Sequence, residues 1–436
     1  MPNRYKIRFP DSDSYEAAQQ EIGTGGAEAR HTMESAEFAQ ATDLGGPMAV
    51  IHNSKRNTLT LELPDRLVAT RASQQLDSYL ENLTKNFGAQ VVPDFQYSNG
   101  FEDINDPIPA EHLSHTLVAE ADAVPTQSPS LDDVLSLIHA EEAWQTSTGE
   151  DITIAVVDTG VSGSRPEFPQ SKRVGQWQPL NDNAWIDTNG HGSMCACVAL
   201  GTKAEGGVYN GVAPDAKLIS CKTGFYDSEL AAIYDYLSDL ATNHGMNIVT
   251  TNSFGWSSNT PPPDDSNSDF IPALSDAIDA GVKVVFAAGN DHQKVGGKPD
   301  SCSPNSIWLS YKSRADVLIV ATCTPVLQMW FNSSRGPGQY FGQSNTNSKP
   351  DVTAPTPANG WVVYGDVVKS VLMWGTSGAG PQVAGLAALL LSHSPKLSRD
   401  DLFAAIRASG EPLASTYGPT CAGTGIINCA KALESL

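Results

Sequence analysis

The stretch DITIAVVDTG, residues 151–160, decides the fold. Between Ile152 and Val157 only Thr153 is polar, and β-branched side chains dominate. A strand with one wet face alternates apolar and polar residues. A strand buried on both faces does not, and such strands belong to parallel sheets covered by helices. Runs of the same kind recur at AKLISCK (216–222), MNIVTTNSFG (246–255), VKVVFAAGN (282–290) and VLIVATC (317–323). Helix-like segments fall between several of them, at DSELAAIYDYLSDLATNHG (227–245) and FIPALSDAIDAG (270–281). Strand and helix in alternation predict an α/β fold: a parallel sheet with helices on both faces. Ligands bind such sheets at the carboxyl ends of the strands. Asp158, Ser253 and Asn290 stand at three of those ends.

Upstream of this region the pattern differs. RYKIRF (4–9) reads as a strand, PMAVIHNSKRNTLTLELP (47–64) as a hairpin, and AQVVPDFQYS (89–98) as a last strand. TRASQQLDSYLENLTKNFG (70–88) places Leu76, Tyr79, Leu80 and Leu83 on one helical face, and a further helix fits near 13–22. The order β-α-β-β-α-β predicts a small α+β, ferredoxin-like unit over 1–98. Residues 99–130 lose periodicity and gain Pro, Asp, Glu and Ser, as an exposed linker does. The main domain then occupies 131–436.

The 436 residues carry 49 acidic and 27 basic side chains, a net charge of −22. So acidic a surface repels phosphate backbones, which excludes nucleic acid as a partner. No apolar run is long enough to span a bilayer, so no membrane partner is expected. No apolar segment follows the basic residues near the N-terminus, as it would in a secretory leader. The expectation is a cytoplasmic protein, or a secreted one if a leader precedes this sequence. The seven cysteines are scattered without the spacing of a zinc site. Buried thiols are expected, with Cys302–Cys323 and Cys421–Cys429 as the candidate bridges.

Three short motifs carry the chemistry. Asp158 ends the 151–160 strand, where a buried carboxylate needs hydrogen bonds to be tolerated; alone it reads as a turn residue. His191, in NGHGSMCACVALG (189–201), lies between two glycines at the start of an apolar helix; alone it reads as a cap. Ser377, in GTSGAGPQVAG (375–385), opens a helix apolar on all faces, where converging N–H groups favour negative charge. Alone it too reads as a cap. Together they supply an acid, a base and a nucleophile, the three roles of Ser-His-Asp hydrolysis.

In the order Asp…His…Ser these motifs resemble the subtilisin-like serine protease family, and the resemblance runs over roughly 131–433. IAVVDTGV, NGHGS and GTSGAGPQVAGLAALL are similar to its Asp, His and Ser segments. GVAPDAKLISCK (211–222), FNSSRGP (331–337), KPDVTAPT (349–356) and GTGIINCAKAL (423–433) are similar to segments without catalytic side chains. The resemblance implies a serine endopeptidase with Asp158, His191 and Ser377 as its triad. It implies Asn290 as the oxyanion donor. Ser253, Phe254 and Gly255 would form one wall of the primary substrate pocket, and Ala287, Ala288 and Gly289 the other. Phe254 and Trp256 then suggest apolar subsites, or plain core. A protein or peptide substrate is implied, cut by a monomer with no metal or cofactor in the chemistry. Structural calcium, common in the family, has the acidic loop PPPDDSNSDF (261–270) as a place to bind; the residues alone read as a solvated loop. The N-terminal unit resembles the family's inhibitory propeptide, seated in the cleft and cut from the enzyme within 100–130.

The chain departs from the family at Gly378, Gly380, Gln382 and Met194. The two glycines predict a looser turn at the nucleophile. Cys195 lies one helical turn after His191; here the chain resembles the family branches that carry a cysteine at this place, which implies sensitivity to mercury compounds. Two other readings compete: a maturation protease for one intracellular precursor, and a weakly catalytic peptide-binding member.

Overall fold

The computed structural model describes residues 4–22, 48–62, 80–81, 83–97, 130–180, 182–255, 265–307, 310–338, 349–356, 358–364, 367–373, 375–413 and 417–436. The linker expected at 99–130 lies outside them except for its last residue. So do Trp256, the first residues of the 261–270 loop and most of the helix expected over 70–88, of which 80–81 and 83–87 are described and helical.

The 151–160 stretch forms strand β5 (Thr153–Asp158), buried at every position. It lies inside a seven-stranded sheet with β6 (Arg173–Trp177), β7 (Lys217–Lys222), β8 (Ile248–Asn252), β9 (Lys283–Ala287), β10 (Leu318–Cys323) and β11 (Val352–Pro355). The order is β11-β10-β9-β8-β5-β7-β6, and every pairing is parallel. The lack of alternation in the sequence has its cause here. Ile154 and Val156 point into one core, Ala155 and Val157 into the other. The first core holds helix α2 (His191–Leu200) and helix α5 (Thr376–His393). The second holds α3 (Asp227–Asn243) and α4 (Phe270–Asp279).

The N-terminal residues form a four-stranded antiparallel sheet, β2-β3-β1-β4, from β1 (Arg4–Arg8), β2 (Met48–Asn53), β3 (Thr58–Glu62) and β4 (Gln90–Pro93). Helix α1 (Ser12–Ile22) follows β1. Side chains alternate across a strand, and β1 uses both faces. Ile7 packs into the unit's own small core with Leu59 and Leu61. Arg4, Lys6 and Arg8 face the main body instead. Arg4 Nη1 lies 2.9 Å from Glu229 Oε1 and its Nε 3.0 Å from Asp94 Oδ2. Lys6 is fully buried and donates to Asp227 Oδ2 at 2.7 Å and to the Asn267 carbonyl at 2.8 Å. Arg8 pairs with Asp269 at 2.8 Å, and Arg56 with Asp235 at 2.8 Å. A basic sheet face thus docks on the acidic face of α3 and α4. The described residues of the acidic loop are used in this contact: Asn267 and Asp269 hold Lys6 and Arg8.

The expected cysteine bridges are corrected. Cys302 joins Cys421, with Cα atoms 5.0 Å apart, and the other five cysteines are buried free thiols. Cys323 ends a core strand and Cys429 opens the last helix, so neither sulfur meets the partner expected for it.

Candidate active site

The carboxyl ends of β5, β8 and β9 and the first turns of α2 and α5 converge on one place. Asp158 ends β5 and is almost fully buried. Its Oδ1 accepts from Thr159 N at 2.8 Å and lies 2.7 Å from His191 Nδ1. His191 is the first residue of α2 and is fully buried. The flanking glycines have separate reasons. Gly190 has φ 92°, the left-handed backbone from which the helix starts. A Cβ on Gly192 would lie 2.1 Å from the Gly160 carbonyl oxygen, so only glycine lets α2 approach the end of β5 this closely. Burial works against a charge on the imidazole. The adjoining Asp158 carboxylate outweighs it and holds His191 well above its ordinary 6.5.

Sequence reading missed Asp187, which fastens this loop. Its buried Oδ1 accepts from Gly190 N at 2.7 Å and Thr159 Oγ1 at 2.9 Å. Its Oδ2 accepts from Ser193 N at 2.8 Å and Ser193 Oγ at 2.7 Å. A carboxylate suits the N-terminus of a helix, and an acid four residues before His191 was the signal available. Burial holds its carboxyl above the ordinary carboxylate range, against the pull of these donors.

Ser377 is the second residue of α5 and is buried. Its carbonyl oxygen accepts from Ser253 Oγ at 3.4 Å and Cys195 Sγ at 3.5 Å. The same sulfur is 3.9 Å from His191 Nδ1. Cys195 therefore joins the histidine helix to the serine helix, and burial pushes its thiol up. The looser turn expected from Gly378 and Gly380 lies inside α5, where Gln382 donates to the Gly378 carbonyl at 2.9 Å and to the Pro355 carbonyl at 2.8 Å.

Asn290 is set by its neighbour Thr376. Its Oδ1 accepts from Thr376 N at 3.0 Å and Thr376 Oγ1 at 2.9 Å. With the oxygen so held, the Nδ2 end is the one left to donate. Gly375, at φ 72°, lets the chain pass close to this amide; a Cβ there would lie 3.0 Å from Nδ2.

The segments 253–255 and 287–289 leave the ends of the neighbouring strands β8 and β9. The Phe254 ring is buried in an aromatic cluster with Phe225, Phe270 and Phe286. Tyr97, from the N-terminal unit, lies against it at 6.1 Å between ring centres. Tyr97 N also donates to the Phe225 carbonyl at 2.8 Å, and Gln96 pairs antiparallel with Tyr226. Such an arrangement can do acyl-transfer chemistry: a base beside an orienting carboxylate, a serine at a helix N-terminus, and an oriented amide donor.

Comparison with known proteins gives a family. The "Peptidase_S8: Subtilase family" model matches residues 149–420. Thermitase of Thermoactinomyces vulgaris is 28% identical, over 68% of this chain and 94% of its own length. A calcium-dependent protease of Nostoc sp. is 27% identical, over 68% of this chain and 48% of its own. Among solved structures, MycP1 from Mycobacterium smegmatis superposes with a TM-score of 0.53 at 21% identity, over 72% of this chain and 86% of its own.

Proposed function

The chain belongs to the subtilase family, with the subtilisin-like fold, and is a serine protease that hydrolyses peptide bonds; from that premise we propose that Asp158, His191 and Ser377 are its triad and Asn290 its oxyanion donor. Asp158 orients His191 and stabilises its charged form. His191 Nε2 takes the proton of Ser377 Oγ as that oxygen attacks the scissile carbonyl carbon. The oxyanion is met by Asn290 Nδ2 and the Ser377 N–H. His191 then gives its proton to the leaving amine, and the acyl-enzyme forms. Water, deprotonated by His191, releases the acyl group and restores Ser377. The observation that carries this reading is the 2.7 Å contact between the buried Asp158 and His191, on the helix that Cys195 ties to the Ser377 carbonyl. Subtilases need no cofactor for this chemistry. The segments 253–255 and 287–289 flank the substrate's primary side chain; the buried Phe254 ring supports a role for that residue through its backbone.

The N-terminal unit, 1–98, is read as a propeptide joined through a cleavable linker to the catalytic domain at 131–436. Two features support this. The docking face is made of ion pairs between the two parts. The segment that follows β4, through Tyr97, reaches the Phe254 cluster, at the carboxyl end of β8. A fluorophosphonate that reacts with activated serines tests the active-site assignment. Wild type should gain one adduct, located on Ser377 by peptide mapping. His191→Ala should gain none. Labelling elsewhere, or equal labelling of the two proteins, would contradict it.

A further inference from the structure

Lys312 lies in a short turn, Ser310–Ser313, behind the 287–289 segment, and only 2% of it is exposed. Its Nζ donates to the Ala287 carbonyl at 2.7 Å and reaches the Ala288 carbonyl at 3.5 Å. No carboxylate among the described residues comes within ion-pair distance of it. Asp291 acts on it from farther away and is itself 3.6 Å from Lys294. An ammonium taken out of water without a counter-ion costs several kcal/mol, whereas a methionine would fill the same space at no such cost. Departures of this kind concentrate at functional sites.

The contacts of the segment it grips lead to one place. Gly289 N, on the peptide whose oxygen is Ala288 O, donates to Thr376 Oγ1 at 3.1 Å. Thr376 Oγ1 in turn donates to Asn290 Oδ1 at 2.9 Å. A continuous line of donors and acceptors thus runs from the Lys312 ammonium through one peptide group and one hydroxyl to the Asn290 amide. Hydrogen bonds in series polarise one another, more so where water is excluded. Each acceptor pulled on from behind makes the next donor more positive, and the last donor is Asn290 Nδ2.

We propose that Lys312 is a positioning residue for the oxyanion donor: it clamps the 287–288 carbonyls and, through Thr376, orients and polarises the Asn290 amide. This rests on the assignment of Asn290 as oxyanion donor. Lys312 acts on the negative charge that develops at the transition state, not on the bound substrate. Its effect belongs in kcat and not in KM.

A purely structural lysine would have no titration signature in kcat. Burial, partly offset by Asp291, brings Lys312 down to about 8. The neighbouring Tyr311 is pushed well above its ordinary 10 by burial and does not titrate in this range. Above that pH the clamp loses its charge, so kcat falls along an alkaline limb near pH 8. Unfolding does not mimic the limb. A lysine whose folded value lies below its ordinary 10.5 favours the folded state as pH rises from about 8 to 10.5.

The test is kcat and KM for peptide amide hydrolysis across the neutral and alkaline range, for wild type, Lys312→Met, Asn290→Ala and Ser377→Ala. In Lys312→Met, kcat should fall ~10- to 100-fold with KM unchanged, the size of effect a displaced catalytic group produces. The limb near pH 8 should disappear. Should that variant not fold, Lys312→Gln, which keeps an N–H donor without the charge, carries the same test. A wild-type kcat with the limb intact overturns the proposal, as does a change confined to KM. If Ser377→Ala retains hydrolysis, the active-site assignment fails, and the proposal with it. If Ser377→Ala is inert and Asn290→Ala slow while Lys312→Met matches wild type, only the role of Lys312 fails.

Discussion

Replacing Asp158 by Asn isolates the charge that stands behind His191. Asp158 Oδ1 carries both the Thr159 N–H and the His191 Nδ1 contact. The carbonyl oxygen of an asparagine can keep that position, with its amide nitrogen in the place of Oδ2. Oδ2 has no hydrogen-bond partner among the described residues. The substitution therefore preserves the geometry and removes the charge. Two unit charges at the observed 2.7 Å attract by about 6 kcal/mol at an effective dielectric of about 20. That figure is a ceiling, since both charges are spread over several atoms. It corresponds to roughly four powers of ten at about 1.4 kcal/mol per tenfold. We expect kcat/KM to fall about 10²- to 10⁴-fold, the upper end matching the loss seen for the equivalent change in a well-studied triad. The pH profile gives the sign. In wild type the carboxylate holds His191 above 6.5, so the acid limb lies above that value. In Asp158→Asn the carboxylate no longer offsets burial and the limb moves to lower pH. A loss of less than about tenfold with the acid limb unmoved would refute the electrostatic role given to Asp158.

Two further outcomes follow from the same contacts. Lys6→Met leaves the buried Asp227 without its cation and should weaken docking of the N-terminal unit by about 3–5 kcal/mol. In a Ser377→Ala background with the linker opened by an added protease, gel filtration should show the unit co-eluting in the parent and separating in Lys6→Met; co-elution in both would contradict the importance of the pair. Mercuric ion should inactivate the enzyme through Cys195, whose sulfur lies 3.9 Å from His191 Nδ1, and Cys195→Ser should retain activity in its presence; equal inactivation of both would place the reactive group elsewhere.

The sheet's centre was legible because full burial leaves a plain mark: β5, β9 and β10 are near-continuous apolar runs, and β7 and β8 keep short apolar cores at Leu218–Ile219 and Ile248–Val249. The edge strand β6 was not. Its burial alternates and Val174 is 44% exposed, so RVGQW carries no such mark. The candidate site was legible where a motif is local, as at His191 between its two glycines. It was not legible where the decisive contact is distant in sequence. The partner of Cys302 is 119 residues away, and cysteine spacing does not encode that. Lys312 gave no signal at all, because a lysine in a sequence reads as a surface residue and only the packed fold shows it buried behind Ala287. Asp187 lay in plain view beside the histidine motif, but its use as the fastening of that loop depends on Thr159, just past the end of β5, coming to meet it.

The central claim is that this chain cuts peptide bonds with Ser377 and that its N-terminal unit is released by such a cut. Intact mass after purification addresses both at once. Wild type should yield a fragment boundary within residues 100–130, and Ser377→Ala should keep the full mass. Equal masses for the two proteins, together with no hydrolysis of an added peptide by wild type, would contradict the account.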